Sequence, residues 1–267
     1  MKNITCQKTK KTLTLKWQIK SFLAENIGSI LNFIFPFDGP LVLNYHGILD
    51  VNSQLDYETA NYVYFDKFKE QINFLEEQNY KFLSLEEFLE KYKTRKLTKK
   101  DCLITIDDIP LSFLPGAHYL IGKKIPFSFF VCTSYSDSPN KGKWMSWEIL
   151  KELEKSKYVS FASHADRHLP FVKLSSAEIK NEIRNSFSKL NQHLSNVYNC
   201  IALPYGNYNG KVLSTIRDLS VDLIFLTDAK LSKNAKIRYK VITRVPIGAF
   251  DNLDTFKIKI SGAYRFF

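Results

Sequence analysis

From residue 102 onward the sequence alternates between short apolar runs and amphipathic stretches. That alternation limits the folds open to it. "CLITI", "FSFFVC", "YVSFA", "NCIAL" and "DLIFL" begin at residues 102, 127, 158, 199 and 222. Each is a short apolar run, read as a buried strand. Between them lie stretches with helical spacing over 111–123, 146–156, 175–190 and 210–219. Ser175 and Glu178 form a capping box, and Ile179, Ile183, Phe187 and Leu190 line one face of the helix that follows. Strand–helix alternation implies a mostly parallel sheet with helices outside, open or closed as a barrel.

Upstream, "PLVLNYHG" (40–47) reads as a strand ending at His46 and Gly47. Residues 64–78 have helical periodicity through Phe65, Phe68, Ile72 and Leu75. "KFL" (81–83) is a short strand, and Ser84 with Glu87 caps the next helix. The 45% hydrophobic and 14% aromatic content of the 267 residues suffices for one large core. Cys102, Cys132 and Cys200 sit in apolar stretches, widely spaced from each other and from Cys6. They read as small buried hydrophobes and favour a reducing compartment.

The formal charge is +11, and six lysines precede the first acid, Glu25. Such a balance suits an anionic partner. No arginine-rich stripe or aromatic-glycine signature points to nucleic acid. Residues 1–38 are expected to form a basic amphipathic region through Ile19, Phe22, Leu23, Ile27, Ile30, Leu31 and Ile34. Polar residues interrupt it too often for a signal-peptide core or a membrane span. Such a helix can lie on an anionic bilayer or pack on the protein's own core. The expected location is the cytoplasm or the periphery of the cytoplasmic membrane.

Groups past the C-terminal ends of parallel strands converge on one face. Here they are His46, Asp107 and Asp108, His164 and His168, Pro204-Tyr205-Gly206, and Arg244. Two adjacent acids after a buried strand repel each other unless a cation or strong donors compensate. Two histidines four apart can meet one cation on a helical turn or a curved loop. Two histidines with one carboxylate leave open positions for water and substrate.

These residues resemble the motifs of the polysaccharide deacetylases, carbohydrate esterase family four. The family's Thr-Phe-Asp-Asp-Gly reads here as Thr105-Ile106-Asp107-Asp108-Ile109. Its His-Ser/Thr-x-x-His reads as His164-Ala165-Asp166-Arg167-His168, and "ALPYGNYN" is similar to its Pro-Tyr-Gly motif. "LNYHGI" is similar to the opening strand of the branch that includes poly-N-acetylglucosamine deacetylases. The likeness runs from about residue 40 to the C-terminus, so the division is 1–38 and 39–267.

The resemblance implies a distorted (β/α) barrel of about seven parallel strands. It implies that Asp108, His164 and His168 hold a divalent metal, usually zinc. Asp107 would be the general base acting on the attacking water. The metal and the backbone N–H of Tyr205, after Pro204, would stabilise the oxyanion, and His46 would protonate the leaving amine. The reaction would free acetate from an N-acetylated amino sugar, in a glycan or on a lipid carrier.

The sequence departs from the pattern in places. Ile109 replaces Gly and is expected to resist positive φ and to narrow the floor of the site. Ala202 replaces the Arg that orients the base, and Arg244 either supplies that charge or is a surface arginine. Asp166 and Arg167 read as support for the site or as a local ion pair. Trp144, Trp147 and Tyr208 are candidates for stacking on sugars, with core packing preferred for Trp147. A carbohydrate-binding relative without activity, and a hydrolase of a non-sugar amide, are the alternatives.

Overall fold

The computed structural model describes residues 39–53, 55–56, 59–138, 142–227 and 239–262. The basic region 1–38 and Cys6 lie outside the described residues. Ten strands are present among the described residues. They are β1 (Leu41–Tyr45), β2 (Ile48–Leu49), β3 (Val63–Tyr64), β4 (Lys81–Phe82), β5 (Asp101–Asp107), β6 (Phe127–Val131), β7 (Val159–Ser163), β8 (Val197–Ala202), β9 (Leu223–Thr227) and β10 (Val241–Pro246).

From β5 to β10 each strand pairs in parallel with the next. β1 closes the circle. It pairs with β5 over Leu41↔Cys102 to Tyr45↔Ile106, and with β10 at Leu43↔Val245. The result is a closed barrel of seven parallel strands. β4 adds a short pairing at the start of β5, and β2 and β3 form a small sheet of their own.

Alternation along the strands sorts side chains inward and outward. Val42, Leu103, Phe130, Ala162, Cys200, Phe225 and Ile242 form the inner cluster. Leu85, Phe88 and Leu89, from the helix Leu85–Lys93, pack into the same cluster and close its lower end. Leu43, Ile104, Phe129 and Phe161 face outward, under helices Phe65–Glu77, Leu114–Gly122 and Trp147–Glu154. Ile201, Leu203, Ile224 and Leu226 do the same under Ser176–His193 and Gly210–Arg217. Burying each such side chain contributes roughly 1.5–3 kcal/mol.

The inner rows change character toward the C-terminal end. Leu103 gives way to Thr105 and Asp107, Val42 to Asn44, and Ile242 to Arg244. All four of these polar residues are buried. The Thr105 hydroxyl donates to the Leu43 carbonyl at 2.6 Å. The upper barrel is thus a polar chamber set on an apolar plug.

Several elements escape the periodicity argument, among them β2, β3 and two helices. Thr133–Asp137 forms a five-residue helix, and Leu253–Ile260 packs on the outer cluster through Phe256. The three described cysteines are buried and free. Burial pushes the Cys132 thiol up to about 12, so it is inert at neutral pH.

Candidate active site

Strand β5 ends on Asp107, and Asp108 turns the chain with φ of 65°. That turn separates the two carboxylates. Asp107 accepts from both guanidinium nitrogens of Arg244, Nη1 to Oδ1 at 2.7 Å and Nη2 to Oδ2 at 2.6 Å. Both partners are buried, and a bidentate pair is the geometry best able to compensate their desolvation. Burial alone would raise the Asp107 pKa. The Arg244 and His164 neighbours reverse this and hold it below the usual carboxylate range.

Asp108 faces the histidines instead. Its Oδ1 lies 3.1 Å from His168 Nε2 and 3.5 Å from His164 Nε2. The two imidazole nitrogens are 3.2 Å apart. Burial opposes ionisation of Asp108, but contact with His168 and the field of His164 hold its pKa well below the ordinary value. Burial, in turn, keeps the His164 pKa below the usual histidine value despite both aspartates. The neutral ring donates Nδ1–H to the Ala202 carbonyl at 2.9 Å, which leaves Nε2 as a lone pair facing Asp108.

The His-x-x-x-His segment is a curved loop rather than a helix. Ala165 and His168 both take positive φ, 65° and 54°. Its flanks are pinned separately. Asp166 Oδ1 accepts from the Thr133 hydroxyl at 2.7 Å and from Lys189 at 2.8 Å. Arg167 pairs with Glu182 at 2.6 Å. Asp166 and Arg167 therefore support the loop through other helices and form no local pair with each other.

Asp108, His164 and His168 fit a divalent cation. Their ligand atoms all lie within 4.8 Å of one another. Asp108 Oδ1 is buried and accepts no hydrogen bond. Tetrahedral zinc with ligands at about 2.0–2.1 Å sets ligand–ligand edges at about 3.3 Å. The three separations above straddle that value.

The triad opens into a cavity of about 440 Å³. His46, Asp107, Tyr205 and Arg244 line it with the triad. His46 has a buried Nδ1 without a partner, so no neighbour fixes its tautomer. Tyr205 takes φ of 60° above the buried Pro204 and is 65% exposed, its ring meeting His168 edge-on at 4.7 Å. His46, Asp107, Asp108, His164, His168, Tyr205 and Arg244 thus gather at the C-terminal mouth of the barrel.

Several expectations change. Ile109 does adopt positive φ, at 48°. Its side chain packs in the outer core instead of narrowing the cavity floor. Ala202 supplies its carbonyl to His164, and Arg244 grips both oxygens of Asp107. Trp147 is buried, donates to Asp137 at 2.9 Å and stacks on His193. Trp144 stacks on Tyr135 at 4.2 Å, and Tyr135 in turn faces His168 at 5.8 Å. Tyr208 packs against an outer core cluster. Asn44, Asp251 and Lys259 also line the cavity, and no spacing in the sequence marks them.

The structure is a closed parallel (β/α) barrel with acids and histidines at its C-terminal mouth. The polysaccharide deacetylase family model matches residues 94–224. The poly-beta-1,6-N-acetyl-D-glucosamine N-deacetylase of Staphylococcus aureus is 28% identical over 234 residues, covering 80% of this chain and 81% of its own. The Staphylococcus epidermidis enzyme of the same name is 28% identical over 211 residues, covering 71% and 73%. Two solved structures share the fold. Streptococcus pyogenes deacetylase PplD has a TM-score of 0.70 at 23% identity, covering 84% of this chain and 99% of its own. IcaB from Ammonifex degensii has a TM-score of 0.69 at 23% identity, covering 86% and 98%. Residues 94–224 of this chain are thus similar to the polysaccharide deacetylase family.

Proposed function

We propose that the protein removes N-acetyl groups from a polymer of N-acetylated amino sugars and releases acetate, with a divalent cation held by Asp108, His164 and His168. The observation that carries this reading is the bidentate Arg244–Asp107 pair lodged beside the ligand triad in one cavity. It gives a base kept ionised and fixed in direction.

When bound, the cation supplies Lewis-acid polarisation of the acetamide carbonyl and acidifies water. The chain's own residues do the rest. Asp107 Oδ2 lies 4.0 Å from His164 Nε2, so its proton-accepting oxygen borders the triad. Asp107 takes the proton of the attacking water there. The backbone N–H of Tyr205 stabilises the charge that develops on the carbonyl oxygen. An amine leaves poorly unless protonated, and His46 delivers that proton from the same cavity. Two imidazoles and one carboxylate with open positions are a ligand set that catalytic zinc takes.

The names of the staphylococcal relatives support a β-1,6-linked N-acetylglucosamine polymer as the substrate. A lipid-linked amino sugar at the cytoplasmic membrane is the second reading. The net charge of +11, with six lysines before Glu25, supports it because it suits carrier phosphates and an anionic surface. Among the described residues no helix is long and apolar enough to cross a membrane.

Acetate release from β-1,6-linked N-acetylglucosamine oligomers and from lipid-linked acetylated sugars tests the proposal. The zinc-reconstituted protein is expected to release acetate from the oligomers, to stop on chelation and to recover with zinc. Faster turnover of the lipid-linked sugar would select the second reading. No acetate from either substrate by the metal-loaded protein would overturn both.

A further inference from the structure

The cavity holds a second buried acid that the reaction above does not use. Asp251 lies after β10 and is 1% exposed. One oxygen, Oδ2, accepts from the Gly248 N–H at 2.7 Å and from Lys259 Nζ at 2.7 Å. The other, Oδ1, is buried and accepts no hydrogen bond. Asp251 and Lys259 line the same cavity as the metal-ligand triad.

The position is rigidly built. The Asp251 N–H bonds back to the Gly248 carbonyl at 3.1 Å, and the Asp251 carbonyl accepts from the buried Gln71 amide at 3.1 Å. Gly248 admits no side chain, because a Cβ there would come within 2.6 Å of the Ala60 carbonyl oxygen. A buried carboxylate oxygen left without a donor carries a desolvation penalty that nothing among the described residues offsets. Asp251 is among the residues that line the cavity, and a fixed geometry that leaves one of its oxygens without a donor calls for a donor from that side.

We infer that Asp251 Oδ1 is a specificity-determining acceptor for a sugar hydroxyl of the bound glycan. This rests on the glycan reading above. The Lys259 partner neutralises the Asp251 charge, so the pair suits a neutral O–H donor better than a full cation. The cavity volume falls in the range that encloses a small ligand. A site that hydrogen-bonds a hydroxyl discriminates strongly against acyl compounds lacking it.

The test compares two substrates in each preparation of the full-length, zinc-loaded protein. One is a β-1,6-linked N-acetylglucosamine oligomer. The other is an aryl acetate, which presents an acetyl group without a sugar. Taking their ratio cancels the folded fraction, so partial misfolding of a variant does not mimic the effect. Asp251→Asn is expected to lower kcat/KM for the oligomer about tenfold more than for the aryl acetate, mainly through KM, as expected for a lost hydrogen bond to a charged acceptor. Asp251→Asn combined with Lys259→Gln, which leaves no unpaired charge, is expected to show the same selective loss. An equal loss on both substrates would make Asp251 structural and overturn the inference. So would an unchanged oligomer rate. If the wild type cleaves the aryl acetate but no glycan, the substrate reading fails first and the acceptor role falls with it.

Discussion

Asp107 and Asp108 stand side by side in the chain, yet their environments divide the work. One is gripped by a guanidinium fork and the other faces two imidazoles. The separation depends on a positive φ at Asp108, a conformation costing on the order of 1–3 kcal/mol. The Arg244 fork supplies direction as well as charge. Arg244→Lys keeps the charge but cannot bind both oxygens. It is expected to lower kcat about a hundredfold while zinc content stays near one per chain, because misplacing a catalytic group costs on that order. Steady-state kinetics with metal analysis checks this, and an unchanged kcat would show that the fork is dispensable. The acids and the histidine pair were legible in the sequence because their spacing survives folding. Arg244 was legible only as one of two alternatives, since its partner lies 137 residues away. Ile109 was misjudged at both backbone and side chain. Its backbone takes the turn expected of glycine, while its side chain finds space in the core.

At the scale of elements, the loop carrying both histidines has no helix of its own and is held by its neighbours. Asp166 ties it to Thr133 and to Lys189 of the long helix Ser176–His193. Asp166→Ala is expected to weaken zinc affinity about 10–100-fold, the range for lost support of metal ligands. Competition against a zinc chelator measures it, and unchanged affinity would show that the loop holds itself. A second element-level contact governs acid stability. Asp101, at the start of β5, accepts from Lys91 at 2.6 and 2.7 Å and from the Thr98 N–H at 2.7 Å. Burial opposes its ionisation, yet these donors hold its pKa below the usual value. A depressed folded-state pKa contributes stability above the unfolded value of about 3.9, and the contribution disappears as pH falls through the folded value. Asp101→Asn should therefore destabilise the protein by about 1–3 kcal/mol at pH 7, as for lost hydrogen bonds to a charged group, and flatten the loss of stability below about pH 4. Denaturant melts across pH read both effects, and parallel curves for the two proteins would contradict the assignment. Both capping boxes, Ser84/Glu87 and Ser175/Glu178, were legible as local rules and are present. Thr133–Asp137 was not, because five residues carry no periodicity.

For the whole molecule, barrel closure brings these parts together. β1 and β5 lie 56 or more residues apart, yet their pairing sets His46 and Asp107 at one mouth. Strand alternation in the sequence left open whether the sheet closes, because periodicity reports faces and not edges. The triad joins the ends of β5 and β7, so a cation bound there would cross-link them and favour the folded state. Zinc at about 100 times its dissociation constant should raise stability by about 2.7 kcal/mol in wild type and much less in Asp108→Asn. Thermal melts with and without zinc decide it, and an equal shift in both proteins would place the binding elsewhere.

The most direct test of the account is acetate release by zinc-loaded wild type and zinc-loaded Asp107→Asn, offered β-1,6-linked N-acetylglucosamine oligomers, with metal content read on the same samples. Wild type should release acetate and expose free amines in equal number. Asp107→Asn should retain its zinc and release acetate at least a hundredfold more slowly, on the order of the loss of a general base. Acetate release by the variant at the wild-type rate would contradict the role assigned to the Asp107–Arg244 pair.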